Sequence, residues 1–169
     1  MMSIQKNNAK TLLHRRHFLT LGIALAPSIL LPQTSFAQLG KFFKKEDEVT
    51  QLFNAIRKEN RLSSMSPDPL LKKAAQDQAE RMAQNQKMGH SIGWGNDFGA
   101  RVRRFGIRGA AAENVAAGQP DLATVFKAWM NSKGHRKNML DPEFSHYGLA
   151  YAVSPQKPNY RYWALVLGR

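Results

Sequence analysis

The spacing of apolar residues changes along the chain from a helical period to a strand period, and this change restricts the possible fold class. From Leu122 to Met130, apolar side chains recur at i, i+3, i+4, i+7 and i+8, the pattern of one buried helix face. Positions 147–153 alternate with a period of two, and positions 160–167 form a second strand-like run. The prolines within 154–159 indicate a turn between these runs. Helical segments followed by a hairpin, without a β-α-β repeat, predict an α+β domain.

Two more helices are predicted upstream of this region. An apolar helix face begins at Val49, behind acidic residues at 46–48, which the helix dipole favours at an N-terminus. A second helix is predicted to open with Asp68 as N-cap and Pro69 as first helical residue, followed by an apolar stripe over 70–83. We interpret both helices as core elements without chemistry of their own.

Residues 1–37 are predicted to be a secretory signal peptide and not part of the fold. Positions 6–16 are basic and contain no acid, and positions 18–31 form an apolar run. Ser35 and Ala37 supply the small residues of a cleavage site. The apolar run is too short for a transmembrane helix, so we expect no membrane-spanning segment in the mature chain.

The arginine pair at 15–16 indicates a particular export route. Together with Phe18 and Leu19 it resembles the twin-arginine motif, although the flanking His14 and Thr20 depart from the usual form. An ordinary signal peptide and an uncleaved N-terminal anchor remain as alternatives. We predict export of the twin-arginine type and a periplasmic or extracellular location.

Cleavage after Ala37 would leave 132 residues, enough for one domain, which we place at 46–169 behind a linker at 38–45. The removed part carries four of the 25 basic residues and none of the 12 acidic ones, so a formal charge of +9 remains. This charge favours an anionic envelope surface, of lipid headgroups or wall polymers, as a partner. No zinc-finger or RNA-binding motif accompanies the arginines at 101–108, so we expect no nucleic-acid partner. Alternatively, those arginines lie on a loop that is simply exposed to solvent. We expect the protein to be a monomer.

The chain contains no cysteine, so packing or a bound ion, and not a disulfide framework, must stabilise it after export. The candidate ion ligands are His90, Glu113 and His135. The first two lie in 89–118, a stretch without clear periodicity that we interpret as loop, and Gly134 is predicted to end a helix just before His135. Two imidazoles and one carboxylate suit a divalent cation such as zinc. Alternatively, Glu113 only orients a histidine or the backbone, with no metal.

Motifs for catalysis are few. The sequence has no Gly-x-Ser-x-Gly elbow and no His-Glu-x-x-His helix. Ser132 lies three residues before His135 and permits a serine–histidine pair, but no third group that would orient the histidine is evident. We therefore assign no catalytic residue.

The motifs at 113–118, 129–140 and 147–150 resemble the bacterial branch of the CAP superfamily. This superfamily, also called SCP-like, includes cysteine-rich secretory, antigen 5 and pathogenesis-related proteins. Further matches lie at 52–57, 68–70, 89–91 and 162–163, so the resemblance covers nearly all of the predicted mature chain.

The resemblance implies a three-layer α-β-α sandwich with a central antiparallel sheet and a cleft on one face. His90 and His135 match the two histidines of that cleft, Glu113 matches its first glutamate, and Ser132 occupies the position of its second. In some members such a cleft binds a divalent cation through the histidines, and some members bind sterols or other apolar ligands. We therefore expect an exported binding module for an apolar or envelope ligand, with a divalent-cation site at His90 and His135. The alternative is a metal-dependent hydrolase that acts on peptide or envelope substrates.

Overall fold

The structure is a computed structural model that describes residues 36–169, with side chains from residue 46 onward. The predicted signal peptide, with its arginine pair, lies outside the described residues except for positions 36–37. No helix in the described part is both long and apolar enough to cross a membrane. The five helices are α1 (Phe36–Glu59), α2 (Pro69–Asn85), α3 (Phe98–Arg104), α4 (Leu122–Asn131) and α5 (Lys133–Met139).

Helix α1 begins earlier than the sequence predicts. Its backbone is helical from Phe36, so the helix covers 38–45, where we predicted a linker, and the acidic positions 46–48 lie within it. The predicted apolar face is nevertheless the one that packs, because Val49 and Phe53 are buried. The acidic positions were misleading because a cluster of acids favours a helix start only weakly.

Helices α2 and α4 begin where predicted. Asp68 caps α2 by accepting hydrogen bonds from two backbone N–H groups of its first turn, each at 2.8 Å. Asp121 caps α4 by accepting from the Thr124 N–H at 2.8 Å. The end of α4 differs from the prediction, since the helix stops at Asn131 and not at Gly134, which lies inside α5.

The strands are β1 (Ser66–Pro67), β2 (Ala111–Ala117), β3 (His146–Val153) and β4 (Arg161–Gly168). They form one sheet in the order β1-β3-β4-β2. Strand β4 pairs antiparallel with both β3 and β2, and only the short β1 is parallel to its neighbour. The predicted terminal hairpin is therefore confirmed as β3 and β4.

Strand β2 corrects the interpretation of 89–118 as loop. All seven of its residues pair with β4, from Ala111 opposite Gly168 to Ala117 opposite Tyr162. Four consecutive residues in its middle are buried, so both faces of the strand are covered. A strand covered on both faces does not alternate between apolar and polar residues, which is why the sequence pattern missed it.

Alternating residues of the sheet supply two separate hydrophobic cores. On β4, Trp163, Leu165 and Leu167 pack on one face with α1, α4 and α5. Ala164 and Val166 pack on the other face with α2 and the chain that leads into α3. Because successive strand residues point to opposite faces, one strand contributes to both cores. The arrangement is an α-β-α sandwich, as predicted.

Gly148 on β3 allows α2 to lie directly against the sheet. A Cβ atom at this position would collide with the backbone of Leu71 and Lys72. Gly148→Ala should therefore lower the free energy of unfolding by at least about 2 kcal/mol, because neither backbone can move without shifting α2. Thermal unfolding followed by circular dichroism measures the change. Gly134→Ala is the matched control, since no atom lies near its added methyl group, and equal melting of both variants would contradict the prediction.

Candidate functional site

Strand β2 directs two polar side chains to opposite faces of the sheet. Glu113 shares its face with Val115, which packs in the α2 core, and Asn114 points toward the side of α4 and α5. The strand lies at one edge of the sheet. Groups from the two helical layers can therefore meet around this edge, and Glu113 and Asn114 are placed to hold one group from each layer.

Glu113 forms a buried ion pair with Arg101 of α3. The arginine Nη2 donates to both carboxylate oxygens, at 2.8 Å to Oε1 and 2.6 Å to Oε2. The side chains of Arg101 and Glu113 are 0% and 1% exposed. The sequence left open whether Arg101 belongs to a solvated basic loop, and the structure instead buries it on α3. Its charge neutralises the carboxylate that the resemblance places in the cleft.

His90 is held against the same carboxylate. Its Nδ1 lies 2.8 Å from Oε1 of Glu113, while about half of the ring remains exposed. This hydrogen bond raises the pKa of His90 above its usual value, because the carboxylate favours the protonated ring. The loop is fixed at the backbone as well, since Arg101 Nη1 donates to the His90 carbonyl at 3.0 Å and Gln78 Nε2 donates to the Gly89 carbonyl.

His135 reaches the site from the other layer. It lies in the first turn of α5, and its carbonyl accepts a hydrogen bond from Asn114 Nδ2 at 3.1 Å. Asn138 Nδ2 donates to Asn114 Oδ1 at 2.9 Å, which fixes the amide. Burial, and secondarily the charge of His90, lower the pKa of His135. The two histidines therefore interact electrostatically around the edge of β2, and His135 favours its neutral form.

Ser132 is less closely connected to the site. It separates α4 from α5 with an extended backbone, at φ −97° and ψ 122°, and its side chain makes no capping hydrogen bond. No hydrogen bond joins it to His90, Glu113 or the ring of His135 within the described residues. The structure thus joins His90 directly to Glu113, ties His135 to the neighbouring strand residue, and leaves Ser132 on the linking turn.

Glu113 is not available as a metal ligand in this arrangement. Both of its oxygens are engaged by Arg101, and one also by His90. Among the residues that the structure describes, no three histidine, cysteine, aspartate or glutamate side chains form a group that could hold a metal ion. In this arrangement Glu113 lies behind His90, hydrogen-bonded to its Nδ1.

The family model for the cysteine-rich secretory protein family, CAP, matches residues 50–167. The chain belongs to the CAP family. A curated relative of this CAP domain is the uncharacterized protein YkwD of Bacillus subtilis, which is 40% identical over 111 residues. That match covers 64% of this chain and 43% of YkwD, so the chain spans less than half of that relative. Despite the family's description, this member has no cysteine.

Solved structures of CAP and SCP proteins have the same fold. An extracellular protein containing an SCP domain from Bacillus anthracis aligns with 80% of this chain and 44% of its own, with a TM-score of 0.64 and 24% identity. An outer surface protein from Borrelia burgdorferi aligns with 77% of this chain and 92% of its own, with a TM-score of 0.62 and 20% identity. At these identities the likeness establishes the fold of the CAP domain and nothing about its ligand.

Two cavities of the CAP domain lie away from the histidines. One, of about 270 Å³, opens between α1, α2 and β3 at the sheet edge opposite β2. It is lined by Glu46, Val49, Lys72, Gln76, Tyr147, Ala150 and Tyr151. The other, of about 380 Å³, lies between the start of α2 and the chain after α3, with Arg108 and Arg169 in its wall. A ligand in either cavity would not touch His90, Glu113 or His135.

Proposed function

We propose that this CAP protein is a binding module that acts outside the cytoplasm and holds a divalent cation between His90 and His135. The observation that carries the proposal is the hydrogen bond from His90 Nδ1 to Glu113. A histidine ligand usually donates its second ring N–H to a carboxylate, which fixes the ring and makes the metal-facing nitrogen more basic. With Nδ1 engaged in this way, Nε2 of His90 is the nitrogen that would face a cation.

The neutral state of His135 supports the same proposal. Metal binding requires an unprotonated ring nitrogen, and burial already favours the neutral form of this residue. Two protein ligands leave the remaining coordination positions to water or to a group of the bound ligand. Such a site would bind a cation weakly and reversibly, in keeping with a module that recruits a ligand.

The alternative of a metal-dependent hydrolase has less support. A general base needs a free carboxylate or imidazole close to the attacking water. Glu113 is committed to Arg101 and His90, and Ser132 is hydrogen-bonded to neither histidine in the part of the chain described. The arrangement is suited to holding His90 in place, and it leaves no free carboxylate beside this histidine.

The apolar ligand that the family resemblance implies would fit the cavity beside β3. Val49, Tyr147 and Ala150 give it an apolar wall, and its polar lining includes Lys72, which pairs with Glu46 at 3.0 Å. Its volume, about 270 Å³, is just below the range of about 300–1,000 Å³ found for small-molecule sites. We therefore propose that this cavity takes one small apolar group or part of an acyl chain, with a polar end near Lys72.

A position outside the cytoplasm is supported by two structural neighbours, one described as extracellular and the other as an outer surface protein. The formal charge of +9 predicted for the mature chain would attract it to anionic envelope surfaces there. The twin-arginine export route stays a prediction from positions 15–19, which lie outside the described residues.

Zinc should raise the melting temperature of the protein at pH 7.5. A ligand that binds only the folded state stabilises it by about 2.7 kcal/mol at a hundredfold excess over its dissociation constant. His90→Ala and His135→Ala should each remove this gain, and titration calorimetry should show zinc uptake lost in both. His146→Ala is the matched control, because this histidine lies on β3, two strands away from β2, and bonds Ser145 instead.

The zinc affinity should fall as the pH drops from about 7.5 to about 5.5, because protons compete for imidazole nitrogen near an unperturbed pKa of about 6.5. Glu113 raises the pKa of His90, so the loss should begin above that value. Zinc uptake that is absent in the parent, or that persists in both histidine variants, would overturn the cation site.

A further inference from the structure

Trp94 is fully exposed on the loop between α2 and α3. Its relative exposure is 101%, whereas the other two tryptophans of the chain, Trp129 and Trp163, are 1% and 2% exposed. Met88, near the start of the same loop, is about half exposed. Single apolar residues on a surface are common and need no explanation by themselves. Trp94 differs from such residues because hydrogen bonds fix the loop that carries it.

The loop that carries Trp94 is built as a rigid support. Nη1 of the buried Arg101 donates to the carbonyls of His90, at 3.0 Å, and Asn96, at 2.8 Å, and so joins the two ends of the loop. Asn96 Nδ2 donates to the Trp94 carbonyl at 3.1 Å. Ile92 is 4% exposed and anchors the loop in the α2 core. Trp94 is therefore displayed at the tip of a fixed loop.

Glycines on both sides leave the indole free of neighbouring side chains. Gly93 and Gly95 have φ values of 83° and 69°, a region that favours glycine. Asn96, two residues after Trp94, has both of its amide groups engaged: its Oδ1 accepts from Arg104 Nη1 at 3.1 Å, and its Nδ2 donates to the Trp94 carbonyl.

The chain segment that contains the loop is basic. Positions 87–108 contain five basic residues and one acidic residue, Asp97, which is engaged as the N-cap of α3. Arg101 is neutralised by Glu113 and Arg104 pairs with Asp77, whereas Arg103 is exposed and forms no ion pair with any described residue. Arg108 is also exposed, but it lies in the wall of the cavity at the start of α2. An exposed tryptophan on a basic segment is complementary to an anionic bilayer, whose headgroup region accommodates the amphipathic indole ring.

We propose that the Trp94 loop docks the protein on an anionic lipid bilayer, with the indole in the headgroup region and Arg103 against the lipid phosphates. The inference depends on the location outside the cytoplasm proposed above and is independent of the cation site. His90 lies at the base of the same loop, so docking would bring the edge of β2 close to the membrane surface. Anything bound between the two histidines would then be held at the bilayer.

The experiment uses the intrinsic fluorescence of the protein with vesicles of phosphatidylglycerol mixed with phosphatidylcholine. Because Trp129 and Trp163 are buried, quenching by aqueous acrylamide reports mainly on Trp94. Vesicle binding should protect Trp94 from the quencher, and vesicles of phosphatidylcholine alone should not. Trp94→Ala should weaken vesicle binding in a sedimentation assay by about tenfold, which corresponds to 1.4 kcal/mol. Val153→Ala, at another exposed apolar position, is the matched control and should bind like the parent.

Three results would overturn the proposal. Trp94 could stay fully open to acrylamide while the protein sediments with vesicles, or Trp94→Ala could sediment as well as the parent. Protection by a soluble anionic wall polymer, without protection by vesicles, would identify a different partner. Trp94→Ala should keep the melting temperature of the parent, because the indole packs against nothing. Zinc binding is measured without lipid, so loss of the cation site with intact vesicle binding would leave this inference standing.

Discussion

Replacing Glu113 by glutamine should lower the free energy of unfolding by about 3–5 kcal/mol, the usual cost of leaving a buried charge without its partner. Arg101 is 0% exposed, so its guanidinium cannot regain hydration when the carboxylate is removed. The amide of glutamine can accept one hydrogen bond, but it neutralises no charge. Urea unfolding followed by circular dichroism measures the difference, provided that the slope of the transition stays unchanged.

Asp77→Asn is the matched control for this substitution. Asp77 also pairs with two arginines, Arg81 at 2.9 Å and Arg104 at 2.7 Å, but all three side chains are partly exposed. Partly exposed ion pairs contribute about 1 kcal/mol or less. The double variant Glu113→Leu with Arg101→Met should recover part of the lost stability, because it removes both charges together. Equal stability of Glu113→Gln and Asp77→Asn would contradict our account of the pair.

The Glu113→Gln variant should also change the titration of His90. In the parent, the carboxylate raises the pKa of this histidine, so the folded state binds the proton more tightly than the unfolded chain. This contribution to stability is complete below about pH 6.5, the unfolded value, and disappears as the pH rises through the folded pKa. The difference in the free energy of unfolding between the parent and the variant should therefore be larger at pH 5.5 than at pH 8. Proton NMR of the His90 ring should show a lower pKa in the variant.

The elements that the sequence predicts correctly are those with strong local signals. Asp68 with Pro69 marks the start of α2, and the prolines at 154–159 mark the turn between β3 and β4. These signals depend on caps and turns that involve only a few neighbouring residues. The apolar period over α4 is equally local, because one helix face packs against the sheet. Such elements can be predicted without knowledge of the tertiary structure.

The elements that the sequence misses depend on distant partners. Strand β2 exists because β4, more than forty positions later, pairs with it, and an alanine-rich segment gives no sign of that pairing. Helix α5 has a single buried residue, Met139, so it has no apolar face that a period could reveal. Because the sequence gives no sign of α5, Gly134 was predicted to end a helix, and His135 was predicted to lie on a turn after it.

The candidate site could be predicted in part. The family resemblance brought His90, Glu113 and His135 together, and the structure joins the first two by a hydrogen bond. It gave no indication of Arg101, which donates to both oxygens of the Glu113 carboxylate. Arg101 lies three residues after Phe98 and four before Phe105, the spacing of one helix face, and this is a signal that could have found it.

Arg57 is a second buried arginine that the sequence does not single out, and it has no carboxylate hydrogen-bonded to it among the described residues. It is 1% exposed and lies on α1. Its guanidinium donates to the carbonyls of Ser63 at 2.7 Å, Met139 and Asp141 at 3.0 Å, and Phe144 at 3.2 Å. Burial lowers the pKa of Arg57, and Asp141 partly offsets this. One side chain thus fastens the irregular chain after α5 to the first helix.

Arg57→Met should therefore lower the free energy of unfolding by about 3 kcal/mol or more. Methionine fills much of the same space but donates no hydrogen bond, and each buried polar group left unpaired costs about 1–3 kcal/mol. Lys58→Met is the control, because Lys58 is the next residue of α1 and is exposed. Its free energy of unfolding should stay within about 0.5 kcal/mol of the parent value. Urea unfolding would compare the two. Hydrogen exchange should also speed up locally in residues 139–144 of the Arg57 variant, because the loss of the three hydrogen bonds to Met139, Asp141 and Phe144 frees that segment from α1. If Arg57→Met matched the parent in both measurements, the four hydrogen bonds would only replace bonds to water, and packing against the sheet alone would hold α1.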